Sequence, residues 1–117
     1  MKDNVVKDKS LEFAVRIVNL YKVFSKMKQK EFVMSKQILR SGTSIGANIR
    51  EAEQAQSRAD FINKLNIALK EANETEYWLE LLIRTEYITR EQYESINNDS
   101  TEINKLLISI IKTTKNN

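Results

Sequence analysis

The chain of 117 residues is long enough to bury a core without metal or disulfide staples, and residues 1–117 are expected to form a single domain. It contains no Cys and no His, which excludes disulfides, thiolate nucleophiles and the usual general base and zinc ligands. It also has no Pro and only two Gly, so a few long helices are expected rather than a turn-rich sheet.

The first two helices are predicted over residues 5–28 and 31–55. Asn4 is a favourable N-cap for the first, and a short polar link of Lys and Gln separates them. The first helix has an apolar stripe at helical spacing. The stripe is widened by Ala14 and Tyr21, and it consists of Val6, Phe13, Ile17, Leu20, Phe24 and Met27. Phe32, Val33 and Met34 are expected to close the end of the core.

The third and fourth helices are predicted over residues 58–85 and 90–113. Ser57 with Asp60, and Thr89 with Gln92, have the spacing of capping boxes. The apolar spacing continues through residues 97–100, so the fourth helix is expected to be continuous there. Four long helices with short links predict an all-α, antiparallel up-down-up-down four-helix bundle.

The second helix contains the stretch S-K-Q-I-L-R-S-G-T-S-I-G-A-N-I-R-E-A, residues 35–52, and with it both glycines. A glycine inside a helix costs about 1 kcal/mol relative to alanine, so Gly42 and Gly46 indicate a close approach of another backbone. Antiparallel packing on the third helix is expected to place Gly42 against Glu71 or Ala72 and to pair Arg40 with Glu74. A structural polar network is predicted from Gln37, Arg40, Ser44, Asn48, Glu71 and Glu74; a nucleic-acid contact is the alternative role for this stripe.

Charge is distributed unevenly along the chain. Residues 1–50 contain eleven Lys or Arg and four acids, net +7, and residues 51–117 have net −4. The basic half could face an anionic partner such as nucleic acid, or the two halves could pack together and partly neutralise each other. If nucleic acid binds, the candidate contacts are Lys22, Lys26, Lys28, Lys30, Lys36, Arg40 and Arg50.

Catalysis is not expected. The carboxylates of the third helix lack the histidines that a di-iron bundle requires, and nothing in the sequence indicates a pocket for a catalytic pair. No cofactor or metal is expected. No apolar run has the roughly 20 residues needed to span a bilayer, so a cytoplasmic protein is expected. Apolar side chains beside the core stripe of the third helix predict an oligomer interface, at Ile67, Trp78 and Leu81.

Residues 35–52, followed by S-R-A-D-F-I-N-K-L-N-I-A-L-K-E-A-N-E-T-E-Y-W-L, resemble the four-helix-bundle proteins encoded in 23S rRNA intervening sequences. That family includes the accessory variability determinant of diversity-generating retroelements, and the resemblance extends from Asn4 to Lys115. It implies a ring-like homopentamer. For the accessory members it implies binding to RNA or DNA and to a reverse transcriptase.

Two functions are therefore open. The first is a non-enzymatic oligomeric bundle that acts as a nucleic-acid-binding or reverse-transcriptase-associated accessory factor. The alternative is a structural or protein–protein interaction module, whose basic face is ordinary solvated surface.

Overall fold

The computed structural model describes the backbone of residues 2–28 and 30–117, and the side chains from residue 5 onward within those ranges. Four helices contain most of the described residues: α1 (Lys2–Lys26), α2 (Val33–Ala52), α3 (Arg58–Arg84) and α4 (Arg90–Lys115). No strand occurs within the described ranges. None of the helices described combines the length and the apolar character needed to cross a bilayer.

The helices form an antiparallel up-down-up-down bundle, as predicted, with overall dimensions of 51 × 22 × 19 Å. Each packs against its neighbours in the sequence, and α4 closes the bundle against α1. Cross-helix ion pairs show the antiparallel register. Lys7 near the start of α1 pairs with Glu53 after the end of α2, and Lys64 of α3 pairs with Glu51 of α2, each at 3.2 Å.

The core is formed by the stripes that the 3–4 spacing predicts. In α1, Phe13, Ile17 and Phe24 are fully buried, and Ile45 of α2 and Leu79 of α3 face the same interior. Helix α4 runs without interruption through residues 97–100, as predicted. Its Ser100 is buried, and the Ser100 hydroxyl donates to the Glu76 carboxylate of α3 at 3.2 Å.

Two helix starts follow the predicted capping chemistry. Thr89 and Gln92 form a complete capping box, with the two reciprocal bonds at 2.8 and 3.1 Å. The Ser57 hydroxyl accepts from the Asp60 backbone at 3.0 Å. The Asp60 carboxylate, however, accepts from the Gln56 backbone at 3.2 Å, one residue earlier than in a standard box.

The other two starts differ from the prediction. Helix α1 begins at Lys2, so the backbone at Asn4 is already helical and the predicted N-cap there is wrong. Helix α2 begins at Val33 rather than at Glu31, because the Glu31 carboxylate accepts from the backbone N–H groups of Met34 and Ser35 at 2.6 and 3.1 Å. The N–H groups of Met34 and Ser35 are among the backbone donors that have no partner within the helix at its start. At its other end α2 stops at Ala52, and residues 53–55 continue with i→i−3 bonds.

The glycines of α2 face α1, which corrects the prediction that Gly42 lies against α3. A Cβ built on Gly42 would lie 2.8 Å from Cγ1 of Ile17, and one on Gly46 would lie 3.3 Å from the Ser10 hydroxyl and 3.5 Å from the Ser10 carbonyl oxygen. The α1 backbone thus lies at ordinary contact distance from position 46, and the tighter contact there is with the Ser10 hydroxyl, so a close backbone approach does not by itself require this glycine. At Gly42 the neighbour is a fully buried, β-branched side chain.

A buried hydroxyl pair joins α2 to α3. The hydroxyls of Ser41 and Thr75 lie 2.9 Å apart, and both residues are completely buried. Thr75 Oγ1 is also 2.8 Å from the Glu71 carbonyl oxygen, and the Ser41 hydroxyl faces the Ile38 carbonyl at 3.5 Å. Because each polar atom has a partner, the pair fixes the register of the two helices without leaving an unsatisfied group.

Substituting the two glycines separately should give different losses of stability. We expect Gly42→Ala to lower the free energy of unfolding by about 1–2 kcal/mol, because overpacking against Ile17 outweighs the gain in helix propensity. Gly46→Ala should stay within about 1 kcal/mol of the wild type, since the new Cβ would lie 3.3 Å from the Ser10 hydroxyl, a contact that a small shift relieves, and alanine favours the helix. Urea denaturation of both variants measures this. Equal losses would contradict the role given to Ile17.

Candidate nucleic-acid interface

Five exposed lysines lie at one end of the bundle. The antiparallel arrangement of α1 and α2 brings the end of α1, the link and the start of α2 together there. We call this surface the basic end; it comprises Lys22, Lys26, Lys28, Lys30 and Lys36. No member forms an ion pair with another side chain of the described part of the chain, whereas Lys7, Lys9 and Lys64 do. The basic end therefore presents five positive charges to solvent.

Glu31 is the single acidic residue between Lys22 and Lys36. Its carboxylate is held at the start of α2 by two backbone N–H groups, where the helix dipole also favours a negative charge. The Ser35 hydroxyl donates to the Glu31 carbonyl at 2.5 Å and ties the same turn together. Glu31 is thus committed to the helix end rather than to pairing with a lysine.

An aromatic side chain lies at the surface among these lysines. Phe32 is 37% exposed; its ring centroid is 6.4 Å from that of Tyr21, and Lys36 Nζ lies 6.0 Å from its centroid. Val33 is 76% exposed, whereas Met34 packs on the core. The prediction that this segment closes the core is therefore wrong for Phe32 and Val33.

The α3–α4 link closes the core at this end instead. Ile88 is buried, and the ring of Tyr87 packs edge-on against Phe24 with centroids 6.2 Å apart. Sequence reasoning missed this function of the link. The sequence does contain a signal for it, because the apolar residues Tyr87 and Ile88 directly precede the Thr89 capping box. An apolar residue directly before a helix N-cap commonly packs back on the protein interior.

Arg40 lies on the seam between α2 and α3. Its guanidinium pairs with the Glu71 carboxylate at 3.2 Å and with the Glu74 carboxylate, so the predicted Arg40–Glu74 pair is present. The Trp78 indole N–H also donates to Glu74, at 3.2 Å. The Trp78 and Arg40 hydrogen bonds lower the pKa of the Glu74 carboxyl, and the Glu74 hydrogen bond raises the pKa of Arg40.

The remaining members of the predicted polar network do not join this cluster. The Ser44 hydroxyl donates to the Arg40 carbonyl at 2.6 Å, and the Asn48 amide donates to the Ser44 carbonyl at 2.8 Å, both within α2. Gln37 is exposed. The physical reason is local, because short polar side chains in a helix readily bond to the carbonyl four residues earlier.

The seven predicted nucleic-acid contacts are therefore distributed over three places. Five form the basic end, and Arg40 is held by two carboxylates. Arg50 is exposed in the last turn of α2, about 21 Å along the helix axis from Lys36 at 1.5 Å per residue. Of these three places, the basic end is the one that brings together several cations without an ion pair among the described side chains.

The predicted interface residues Ile67, Trp78 and Leu81 are all partly buried in α3, and Trp78 packs against the core of its own bundle. More exposed apolar side chains lie on the outer face of α1. Leu11 is 49% and Val15 52% exposed, one helical turn apart. Sequence reasoning missed them, although they satisfy the same criterion of lying outside a complete core stripe.

An open groove of about 570 Å³ lies at the opposite end of the bundle. Its lining is mostly apolar and includes Val6, Phe61 and Ile110, with Glu53 and Arg58 as its charged residues. Glu53 is already paired with Lys7. Within the described part of the chain no three acidic side chains come together in a way that could hold a metal ion.

Comparison with known proteins gives one family. Residues 2–109 match the model of the 23S rRNA-intervening sequence proteins. The chain is 95% identical to a protein of unknown function from the S23 ribosomal protein family of Bacteroides thetaiotaomicron VPI-5482, whose crystal structure superimposes with a TM-score of 0.93. That match covers 96% of this chain and 99% of the other. No curated protein matches significantly.

The Arg40 cluster makes a pH prediction. Because the pKa of Glu74 is lowered from 4.5 by folding, its contribution to stability is present above that value and is lost as pH falls through the folded-state pKa. We expect Glu74→Gln to be less stable than the wild type by up to about 1 kcal/mol near pH 6, and this difference to shrink as the pH falls below 4.5 through the folded-state pKa of Glu74.

Thermal melting at several pH values measures the difference. Glu51→Gln is the matched control, because Glu51 lies on the same seam but has a single partner, Lys64. A stability difference for Glu74→Gln that does not change with pH would contradict the prediction.

Proposed function

The chain belongs to the family of 23S rRNA-intervening sequence proteins, and from this membership and the basic end we propose that it is a non-enzymatic, nucleic-acid-binding helical bundle. The observation that carries the proposal is the group of five exposed lysines without an acidic partner among the described side chains. Clustered lysines attract phosphates and release their counterions, which supplies sequence-independent affinity.

The arrangement of the basic end supports this role. Lys22 and Lys26 lie one turn apart on α1, and Lys36 begins the exposed face of α2, so three of the five charges are presented by helices. Glu31, the one acid between Lys22 and Lys36, is engaged at a helix start, and Glu71 of the neighbouring seam is held by Arg40. Neither carboxylate is therefore free to compete with a phosphate backbone for these lysines.

Other parts of the proposal rest on the family and on composition. We infer that the protein acts in the cytoplasm. We also infer that it needs no cofactor, in keeping with a sequence that lacks His and Cys. The resemblance to the accessory variability determinant supports a reverse transcriptase as protein partner. Co-purification with a purified reverse transcriptase, with and without RNA, tests that association.

Reversing two charges of the basic end should weaken nucleic-acid binding. If five phosphates are neutralised, affinity for a single strand should fall about 100-fold between about 50 and 200 mM salt. The Lys26→Glu/Lys36→Glu double variant should bind at least about tenfold more weakly at low salt and show a shallower salt dependence. Fluorescence anisotropy of labelled RNA and DNA oligomers measures both quantities.

Lys105→Glu is the control for this experiment. Lys105 is exposed on α4 and has no ion pair among the described side chains. Its substitution therefore changes the charge by the same amount as each substitution of the double variant, but away from the basic end. It should leave binding within about twofold of the wild type. Absence of wild-type binding even at about 50 mM salt would retire the nucleic-acid function.

The alternative function, a protein–protein interaction module, has its own support on α1. Leu11 and Val15 form an exposed apolar face together with Val18, which is partly buried. Such residues outside a complete core favour association with another surface. We propose self-association through exposed apolar side chains, and the family resemblance suggests a pentamer.

Sedimentation velocity tests this proposal. A pentamer would have about five times the chain mass of 13.6 kDa, and Val15→Glu should shift the protein toward smaller species, because it places a charge in an apolar contact. Asn98→Glu, which adds the same charge at an exposed position of α4, should leave the mass unchanged. A wild-type monomer at all concentrations would exclude self-association.

A further inference from the structure

Phe32 lies outside the hydrophobic core of the bundle. It precedes the first residue of α2 and its side chain makes no capping bond. The core at this end is closed by Ile88 and by the Tyr87–Phe24 contact. A phenylalanine 37% exposed among five lysines therefore calls for an explanation other than core packing.

The ring is held in place but remains accessible. Tyr21, in the last two turns of α1, supports it at 6.4 Å between centroids with the planes tilted by 54°. Lys36 reaches over the ring, with Nζ 6.0 Å from the centroid. A lysine on a flexible stem can leave the ring and contact a phosphate, because cation–π contacts at exposed sites are weak.

We propose that the basic end selects single-stranded over double-stranded nucleic acid, with Phe32 as the surface on which an unpaired base stacks. This inference rests on the proposed nucleic-acid function. The lysines alone cannot discriminate, since both kinds of strand present phosphates. An exposed aromatic ring can, because base faces are accessible in a single strand and are stacked on one another inside a duplex.

The proposal also predicts little sequence preference. Every base has a π-face, so stacking on one aromatic side chain tolerates all four bases. Lys36 and Lys30, on either side of Phe32 in the sequence, would contact the phosphates that flank the stacked base. The ligand class is thus unpaired RNA or DNA of any sequence.

The test compares a labelled single strand with a blunt-ended duplex of the same length, at about 50 mM salt. The wild type should bind the single strand more tightly. Phe32→Ala should weaken single-strand binding by about 5- to 150-fold, the range for loss of one stacking contact, and leave duplex binding unchanged. Phe32→Trp should retain the preference. A strand containing 2-aminopurine should change its fluorescence on binding the wild type, because the base leaves its neighbours in the strand to stack on the ring, and should not change with Phe32→Ala.

Val33→Ala is the matched control, because Val33 is the neighbouring residue, is more exposed and has no ring; it should behave as the wild type. Melting curves check the fold of each variant. Phe32→Leu keeps the apolar volume without an aromatic face, and it replaces the alanine variant if that variant loses helix.

The outcomes separate this inference from the proposed function. Equal binding of single strand and duplex, or an equal loss of both in Phe32→Ala, overturns the stacking role and leaves the nucleic-acid function in place. Binding of neither ligand at low salt overturns both. A loss confined to the single strand, with the fluorescence change abolished, supports the proposal.

Discussion

The close packing of α1 on α2 at Gly42 is the constraint on which the rest of the structure depends. Because position 42 has no side chain, Ile17 enters the surface of α2, and the two helices can lie near enough for Ser10 to contact Gly46 one turn further on. On its other side α2 is joined to α3 by the buried Ser41–Thr75 hydroxyl pair. Helix α2 is therefore fixed from both sides, and its two ends have defined positions relative to α1 and α3.

This fixed position decides which charges are available at the surface. Arg40 lies where α2 meets α3 and is bound by Glu71 and Glu74, while Glu31 satisfies the backbone at the start of α2. The lysines of the basic end form no ion pair with a carboxylate of the described part of the chain. The basic end is thus a consequence of how the acidic residues are used in folding, and not only of how many lysines the segment contains.

The side chains that the fold leaves exposed at each end of the bundle bear on the proposed function. The family match assigns the chain to its family, and the solved relative, itself described as of unknown function, shares its fold. Within that bundle, one end combines unpaired lysines with an exposed phenylalanine, and the other has a largely apolar groove. Charge and aromatic surface at one location suit a phosphate-linked, base-bearing ligand better than an acid–base reaction, which requires convergent titratable groups in a pocket.

The sequence by itself determined the helix count, the antiparallel bundle, the core stripes, the Thr89 capping box and the Arg40–Glu74 pair, because each depends on helical periodicity or on one pairing register. Only the tertiary structure decided that Gly42 faces Ile17, that Ser41 meets Thr75, and that Phe32 remains outside a core closed by Ile88. The reason is that spacing defines which residues share a face. The rotation of each helix about its axis, and hence the neighbour that each face meets, is settled only when all four helices pack together.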